Sequence, residues 1–249
     1  MNAIMEYYNG IAKVMEKAFS TQETTLMQGA QLLCEATINK HNIFAFGCSH
    51  ASLLALELYY RTGGMANINP IRAAGLNLDI DPATMTSQME RLPDYGRIIV
   101  DNQPLGENDV IIIHSVSGRN TVTVDVAMRA HEKGAKVIAL TNLEMSKAVT
   151  SRHPSGKRLF ECADIVIDNC GCVGDASIEI DGVPEKVAPT STAVGAALLN
   201  AMIAEAVQLI IDKGVIPPVF MSANLDAGDE HNRKMLEQYK NNIFYMGFN

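Results

Sequence analysis

Ser115, Ser117, Asn120 and Thr121 place four hydroxyl or amide side chains within seven positions, around Gly118. Hydroxyls bond an oxyanion without bringing charge, and a turn of this composition directly before a helix adds that helix's unpaired amides and its positive dipole end. The chemistry expected is anion binding; the alternative for Ser117 and Asn120 is plain helix capping. The turn has neither GxGxxG nor the lysine and spacing of a P-loop, which directs the anion to a small molecule rather than to ATP or NAD. A second group is Gly47-Cys48-Ser49-His50-Ala51-Ser52. Ser49 and Ser52 are candidate ligand contacts, and His50 can move a proton near neutral pH. Glu57 follows His50 by seven residues, two helical turns, and Arg61 follows Glu57 by one more. Glu57 is a candidate acid/base group and Arg61 a candidate anion contact; the plainer alternative is an i,i+4 surface pair. Cys48 has no base beside it in sequence and is expected to be a buried, inert thiol.

Further candidates lie in the C-terminal half. Thr190, Ser191 and Thr192 precede a long apolar run, where they cap a helix, supply hydroxyls to the site, or both. Asn224 to Asn232 is dense in acid/base groups. An acidic helix start with Asp229 as N-cap accounts for the carboxylates, but a cation at that end is disfavoured, so a neutral His231 is expected to serve as acid/base or ligand contact. Ser87, Glu90 and Arg91 stand in a long middle segment expected to close over the ligand, with Arg91 as an anion partner. Cys170, Cys172, His50, Asp229, Glu230 and His231 are possible metal donors, but neither CxxC nor HExxH spacing is present, so no metal and no other cofactor is expected.

The elements that must position these residues are legible as short apolar runs. Ile43 to Phe46, Ala66 to Ile71, Val110 to Ile113, Val137 to Leu140 and Ile165 to Ile167 read as strands buried on both faces, the pattern of a parallel sheet covered by helices. Asp109 to Thr141 alone reads as a complete βαβ unit with its hydroxyl turn at the carboxyl end of the first strand, where open α/β sheets hold ligands. Residues 1 to about 40 carry helical spacing with a break at Thr24-Thr25, so two helices are expected before the first strand. The segment from Arg72 to Asn108 is too long for a plain loop and is expected to be ordered near the site. Asp181-Gly182 between two short strand-like runs predicts a small β-hairpin. A long helix over Thr192 to Lys213 and a last one around Glu230 to Asn241 complete the chain. The fold class expected is α/β, a three-layer αβα sandwich on a five-stranded parallel sheet, with N-terminal helices and a small hairpin. One domain is expected over 1–249: a helical segment to residue 40, then the core.

The 249 residues, 47% hydrophobic, suffice for a sizeable core. A net charge of −8 without any Lys/Arg run argues against nucleic acid and anionic membranes as partners. Five irregularly spaced cysteines and an N-terminus without a basic flank and apolar core point to a reduced cytoplasm. No apolar run is expected to reach the length needed to cross a bilayer.

SVSGRNT resembles the SxSGxT/N signature of the SIS (sugar isomerase) domain. FAFGCSHASLLALELYYRTGG is similar to that domain's first strand, loop and helix, and PTSTAVGAALLNAMIAEA to its late helix. The order GxxHxS, ELxYRxGG, DNCGxVGD, GxPEKVxPTST and SANLDxGDEHN resembles a bacterial group of phosphoheptose-isomerase-like SIS proteins over nearly the whole chain. That group tends to show Gly where this chain has Ser49 and Ser where it has Ala51. The resemblance implies a flavodoxin-like SIS fold, a sugar phosphate held at Ser115 to Thr121, and aldose–ketose isomerisation through an enediol. Glu57 would move the C–H proton, and His50 or His231 the oxygen proton. It also implies a homodimer or homotetramer. The alternatives are a non-catalytic phosphosugar sensor or regulatory subunit, and an isomerase of a sulfonated sugar. A sugar-ether lyase fits less well, because the glutamate that such relatives place in this helix falls near Arg61.

Overall fold

The computed structural model describes residues 2–247; Met1, Phe248 and Asn249, the ends of the expected domain, lie outside the described residues. Five short apolar runs form one parallel sheet: β1 (Ile43–Gly47), β2 (Ile68–Pro70), β3 (Val110–His114), β4 (Lys136–Thr141) and β5 (Ile165–Asp168), in the order β2-β1-β3-β4-β5. Alternate side chains leave each strand on opposite faces. Ile43, Ala45, Ile112 and Leu140 pack with α1 (Ala3–Ile38), α2 (Ser52–Glu57) and α7 (Ser191–Asp212). Phe44, Phe46, Ile111 and Val137 pack with α4 (Tyr95–Asp101) and α5 (Thr121–Glu132). Both faces are covered, which is why the strands carry apolar runs rather than alternation. The architecture is the expected three-layer α/β sandwich.

The two helical layers fix where a ligand can sit. The helix after β1 joins the α1/α7 layer, and the helix after β3 joins the opposite one. In the pairing of β1 with β3, Gly47 stands beside His114, so the Gly47 loop and the Ser115 turn leave adjacent strand ends toward opposite faces. That divergence opens a crevice at the carboxyl edge of the sheet, the topological switch point of an open α/β fold.

Several boundaries differ from the sequence expectation. The N-terminal segment is one unbroken helix, α1, because a Thr pair costs only tenths of a kcal/mol per residue in a helix and the following residues Leu26, Ala30 and Leu33 continue the buried stripe against α7. The helix after the first loop is short: α2 ends at Glu57 with Leu58 at its C-cap, and Tyr60 takes φ +47, so Arg61 lies beyond it. Its exposure is mixed rather than mostly buried, with Leu53 and Leu56 both over a third exposed. The middle segment is ordered into α3 (Met85–Met89) and α4, and Arg97 and Arg129 of α4 and α5 share Glu132. The hairpin pairs β6 (Ala176–Ile178) with β7 (Val187–Pro189), farther from Asp181-Gly182 than a two-residue turn would give, with Gly182 at φ +84 in the intervening loop. α7 is, by length and composition, apolar enough to cross a bilayer, contrary to expectation, since Glu205 is too isolated an interruption; its apolar face packs on α1 as a core helix does. The last helix, α8 (Gly228–Tyr239), begins before Asp229, which makes no capping bond. Buried Asn69 donates to the carbonyls of Ile43 and Asn242 and accepts from the Phe244 amide, fastening the residues after α8 to the β1–β2 edge.

Candidate functional site

The hydroxyl turn begins where β3 ends. Gly118 takes φ +59, a conformation that costs an L side chain about 1–2 kcal/mol, and this lets its amide donate to Ser115 Oγ at 3.2 Å. Among the described residues neither Ser115 nor Ser117 donates its own hydroxyl hydrogen to a protein acceptor, so both remain available to a ligand. Asn120 stands at the N-cap of α5 without capping it. Its Oδ1 instead accepts from Arg152 Nη1 at 2.7 Å, and Thr121 Oγ1 donates to the Arg152 carbonyl at 3.3 Å. The turn thus divides into free hydroxyls at Ser115 and Ser117 and a pair, Asn120 and Thr121, tied to the segment that crosses the start of α5.

Across the crevice, the first loop is shaped by close backbone approach. A Cβ on Gly47 would lie 2.4 Å from the Ala51 carbonyl oxygen, so only glycine fits where β1 meets this turn. Ser49 takes φ +53 and its amide donates to the Leu76 carbonyl at 2.7 Å, while Ser52 Oγ donates to the Ser49 carbonyl at 2.7 Å. Ser52 is therefore committed inward, and the hydroxyl of Ser49 has no protein partner among the described residues. His50 is exposed, and its imidazole makes no hydrogen bond among the described residues. Cys48 is buried with Thr123 Oγ1 3.9 Å from its sulfur, and desolvation pushes its thiol up to about 12, an inert group at neutral pH.

His114, a residue the sequence did not single out, ties the two loops together. It is 2% exposed, and its Nδ1 lies 3.2 Å from the Ala51 carbonyl. A carbonyl only accepts, so Nδ1 carries the proton and Nε2 presents a lone pair that is buried without a partner. Burial drives its pKa down to about 4, so the ring is neutral across the physiological range. The one signal available in sequence was its position, a histidine closing an apolar strand directly before Ser115.

The remaining candidates are distributed along the α2–α7 side and the C-terminal segment. Glu57, with a third of its side chain exposed, pairs with Arg61 and accepts from Asn200 Nδ2 of α7 at 3.0 Å. Thr190 and Ser191 are buried and their hydroxyls and amides point at Asp175, the shortest contact being Ser191 Oγ to Asp175 Oδ2 at 2.5 Å. They are held as the cap of α7, whereas Thr192 is half-buried with no partner among the described residues. His231 Nε2 donates to the Val219 carbonyl at 3.0 Å, which fixes its tautomer and holds the start of α8 to the preceding strand-like segment. Among the described residues no hydrogen bond joins Glu57, His50 and His231. A cavity of about 520 Å³ lies between Tyr60, Arg61, Phe220, Asp229, Asn232 and Arg233, so of the candidate segments it takes Arg61 together with Asp229 and Asn232 of the acidic C-terminal stretch. No residue of the hydroxyl turn lines it. Among the described residues no three His, Cys, Asp or Glu side chains converge as metal ligands would.

A family model described as the SIS domain matches residues 6–142. A UPF0309 protein of Oceanobacillus iheyensis is 44% identical over 246 residues, 99% of this chain and 100% of the relative. One of Shouchella clausii is 42% identical over 246 residues, again 99% and 100%. Among solved structures, a phosphoheptose isomerase from Francisella tularensis is similar with a TM-score of 0.53 at 16% identity, covering 84% of this chain and 100% of that one. The sugar isomerase domain of an RpiR transcription factor from Sphaerobacter thermophilus is similar with a TM-score of 0.50 at 15% identity, covering 97% and 99%. At such identities the structural likeness speaks for the fold.

Proposed function

The chain belongs to the SIS-domain family, and from that premise we propose that it is a phosphosugar-binding protein of isomerase type, an aldose–ketose isomerase acting on a sugar phosphate. The observation that carries the reading is the pair of uncommitted hydroxyls, Ser115 and Ser117, at the switch-point crevice before α5. The phosphate sits on those hydroxyls and on the turn's backbone amides, with Ser49 and Asn120 at its edge. Isomerisation then needs one base that takes the proton from C2 of the open-chain aldose and returns it to C1, passing through an enediol. Glu57, oriented by Arg61 and Asn200, is the group proposed for that step. His50 or His231 carries the proton between the C1 and C2 oxygens. Among the described residues no hydrogen bond joins these groups within the subunit. A homodimer or homotetramer that brings a neighbour's residues to the crevice is therefore part of the proposal.

The direct test is binding of a panel of sugar phosphates and sugar sulfonates, read by thermal shift and calorimetry on wild type and on Ser115→Ala and Ser117→Ala. Removing one hydroxyl that bonds a charged phosphate costs roughly 1.5–3 kcal/mol, or at least about tenfold in affinity. Unchanged affinity in both variants would refute the placement of the anion. Preference for the sulfonate members would favour a sulfonated substrate at the same turn. A sensor reading draws on the likeness to the RpiR sugar isomerase domain; binding without any exchange of the C2 proton would select it.

A further inference from the structure

Three arginines that form no salt bridge among the described residues gather at the start of α5, each from a different segment. Arg119 comes from the turn after β3, Arg91 from the end of α3, and Arg152 from the loop beyond α6 (Leu143–Ala148). Backbone and side-chain bonds hold the segments together. The Arg152 amide donates to the Arg119 carbonyl at 2.8 Å, and the Val122 amide to the Glu90 carbonyl at 3.1 Å. Arg152 Nη1 reaches Asn120 Oδ1, and Arg119 Nη2 reaches Thr150 Oγ1 at 3.3 Å, while Arg119 Nε is buried with no acceptor. Elsewhere the chain pairs its arginines: Arg61, Arg97, Arg129, Arg158 and Arg233 each meet a carboxylate, and Arg72 lies over the Tyr59 ring. Among the described residues no salt bridge reaches Arg91, Arg119 or Arg152, in a chain with 28 acidic and 20 basic residues. The one acid beside them, Glu90, is pushed by burial toward its neutral form, against the pull of Asn120, Arg91 and Arg152. Partial burial and then the charges of Arg91 and Arg119 in turn push the Arg152 guanidinium downward. An acidic protein that assembles three mutually repelling cations, with a buried guanidinium nitrogen lacking an acceptor, has a place for an anion.

We infer that Arg91, Arg119 and Arg152 form a second anion subsite beside the hydroxyl turn, and that the ligand of the crevice is a sugar carrying two acidic groups. The inference rests on the reading that Ser115 and Ser117 hold a phosphate. One group of the ligand occupies that turn; the other, a second phosphate or a carboxylate, takes the planar forks of the arginines, which match such groups in geometry as well as charge.

The test uses the 249-residue protein and two probes, inorganic phosphate and pyrophosphate, titrated calorimetrically at low ionic strength, where exposed cations such as Arg91 and Arg152 are least screened. Wild type is expected to bind pyrophosphate at least about tenfold more tightly than phosphate, and Arg91→Gln with Arg152→Gln to abolish that preference while phosphate affinity changes by less than about threefold. If the double variant does not fold, Arg91→Gln alone, at an exposed position, is expected to lower pyrophosphate affinity about threefold with no change for phosphate. Equal affinities in wild type, or equal loss of both anions in the variants, would overturn the second subsite. A Ser115→Ala, Ser117→Ala protein separates the two claims. If it binds phosphate like wild type, the phosphate reading of the turn fails and the two-group ligand with it; if it loses phosphate while the arginine variants lose nothing, only the second subsite is overturned.

Discussion

Acidification should destabilise this protein through His114, and by an amount that its surroundings set. The ring lies 2% exposed at the end of β3, donating Nδ1–H to the Ala51 carbonyl, with Nε2 enclosed and unpartnered. Protonating Nε2 would place a charge where no acceptor exists, so burial lowers the folded pKa from 6.5 to about 4. The unfolded chain therefore binds this proton first. Stability is complete above the unfolded value, falls as the pH drops through the window from 6.5 toward 4, and loses nothing further below it. Between about pH 8 and pH 5 the loss is about 2 kcal/mol, from a maximum near 3 kcal/mol for the full shift. Urea unfolding of wild type and of His114→Gln at both pH values measures it, with equal m-values as the check that the same transition is compared. Glutamine can still donate to Ala51 but does not titrate, so its constant offset cancels and wild type should lose about 2 kcal/mol more than the variant. Equal losses, within about 0.5 kcal/mol, would refute a buried neutral His114.

Three further expectations follow from the same geometry. Asp175→Ala removes the acceptor for the Thr190 and Ser191 amides and the Ser191 hydroxyl, and should cost about 2 kcal/mol in urea unfolding; a cost under about 0.5 kcal/mol would mean that α7 is not held by this cap. Ser49→Gly relieves a left-handed residue, φ +53, and should leave stability unchanged or raise it by up to about 1 kcal/mol after the entropy of the unfolded glycine is counted; a clear loss in melting temperature would contradict the strain. Among the cysteines, half-buried Cys172 should react with a thiol reagent in the native protein near neutral pH, whereas Cys48, at about 12, should stay unlabelled until unfolding. Peptide mapping of the labelled protein decides it.

The strands were legible because burial on both faces writes apolar runs into the sequence, and the hydroxyl turn because its spacing at a strand end has few other uses. Boundaries governed by weak local preference were less so. Thr24-Thr25 resembles a break only until the stripe continuing through Leu26, Ala30 and Leu33 is packed on α7. Tertiary partners were not legible at all. For Thr190 and Ser191 the sequence left helix capping and ligand contact both open, because the carboxylate that takes them, Asp175, reaches them only when β6 pairs with β7. The sequence could not show that the hydroxyl of Ser52, a candidate contact, donates to the Ser49 carbonyl, nor that His231, a candidate acid/base or ligand group, donates Nε2 to the Val219 carbonyl. His114, Asn200, Arg119 and Arg152 went unnoticed for the complementary reason: their meaning lies in neighbours 31 to 143 residues away along the chain.

The most direct measurement of the central claim is exchange of the C2 proton in deuterated water. Each sugar phosphate that raises the melting temperature would be incubated with wild type and with Glu57→Gln and followed by NMR. At least one bound sugar should exchange its C2 proton and interconvert with its ketose, while Glu57→Gln binds it with similar affinity and slows exchange by about 10²-fold or more. Stabilising ligands with no exchange in wild type, or exchange at an undiminished rate in Glu57→Gln, would contradict the account.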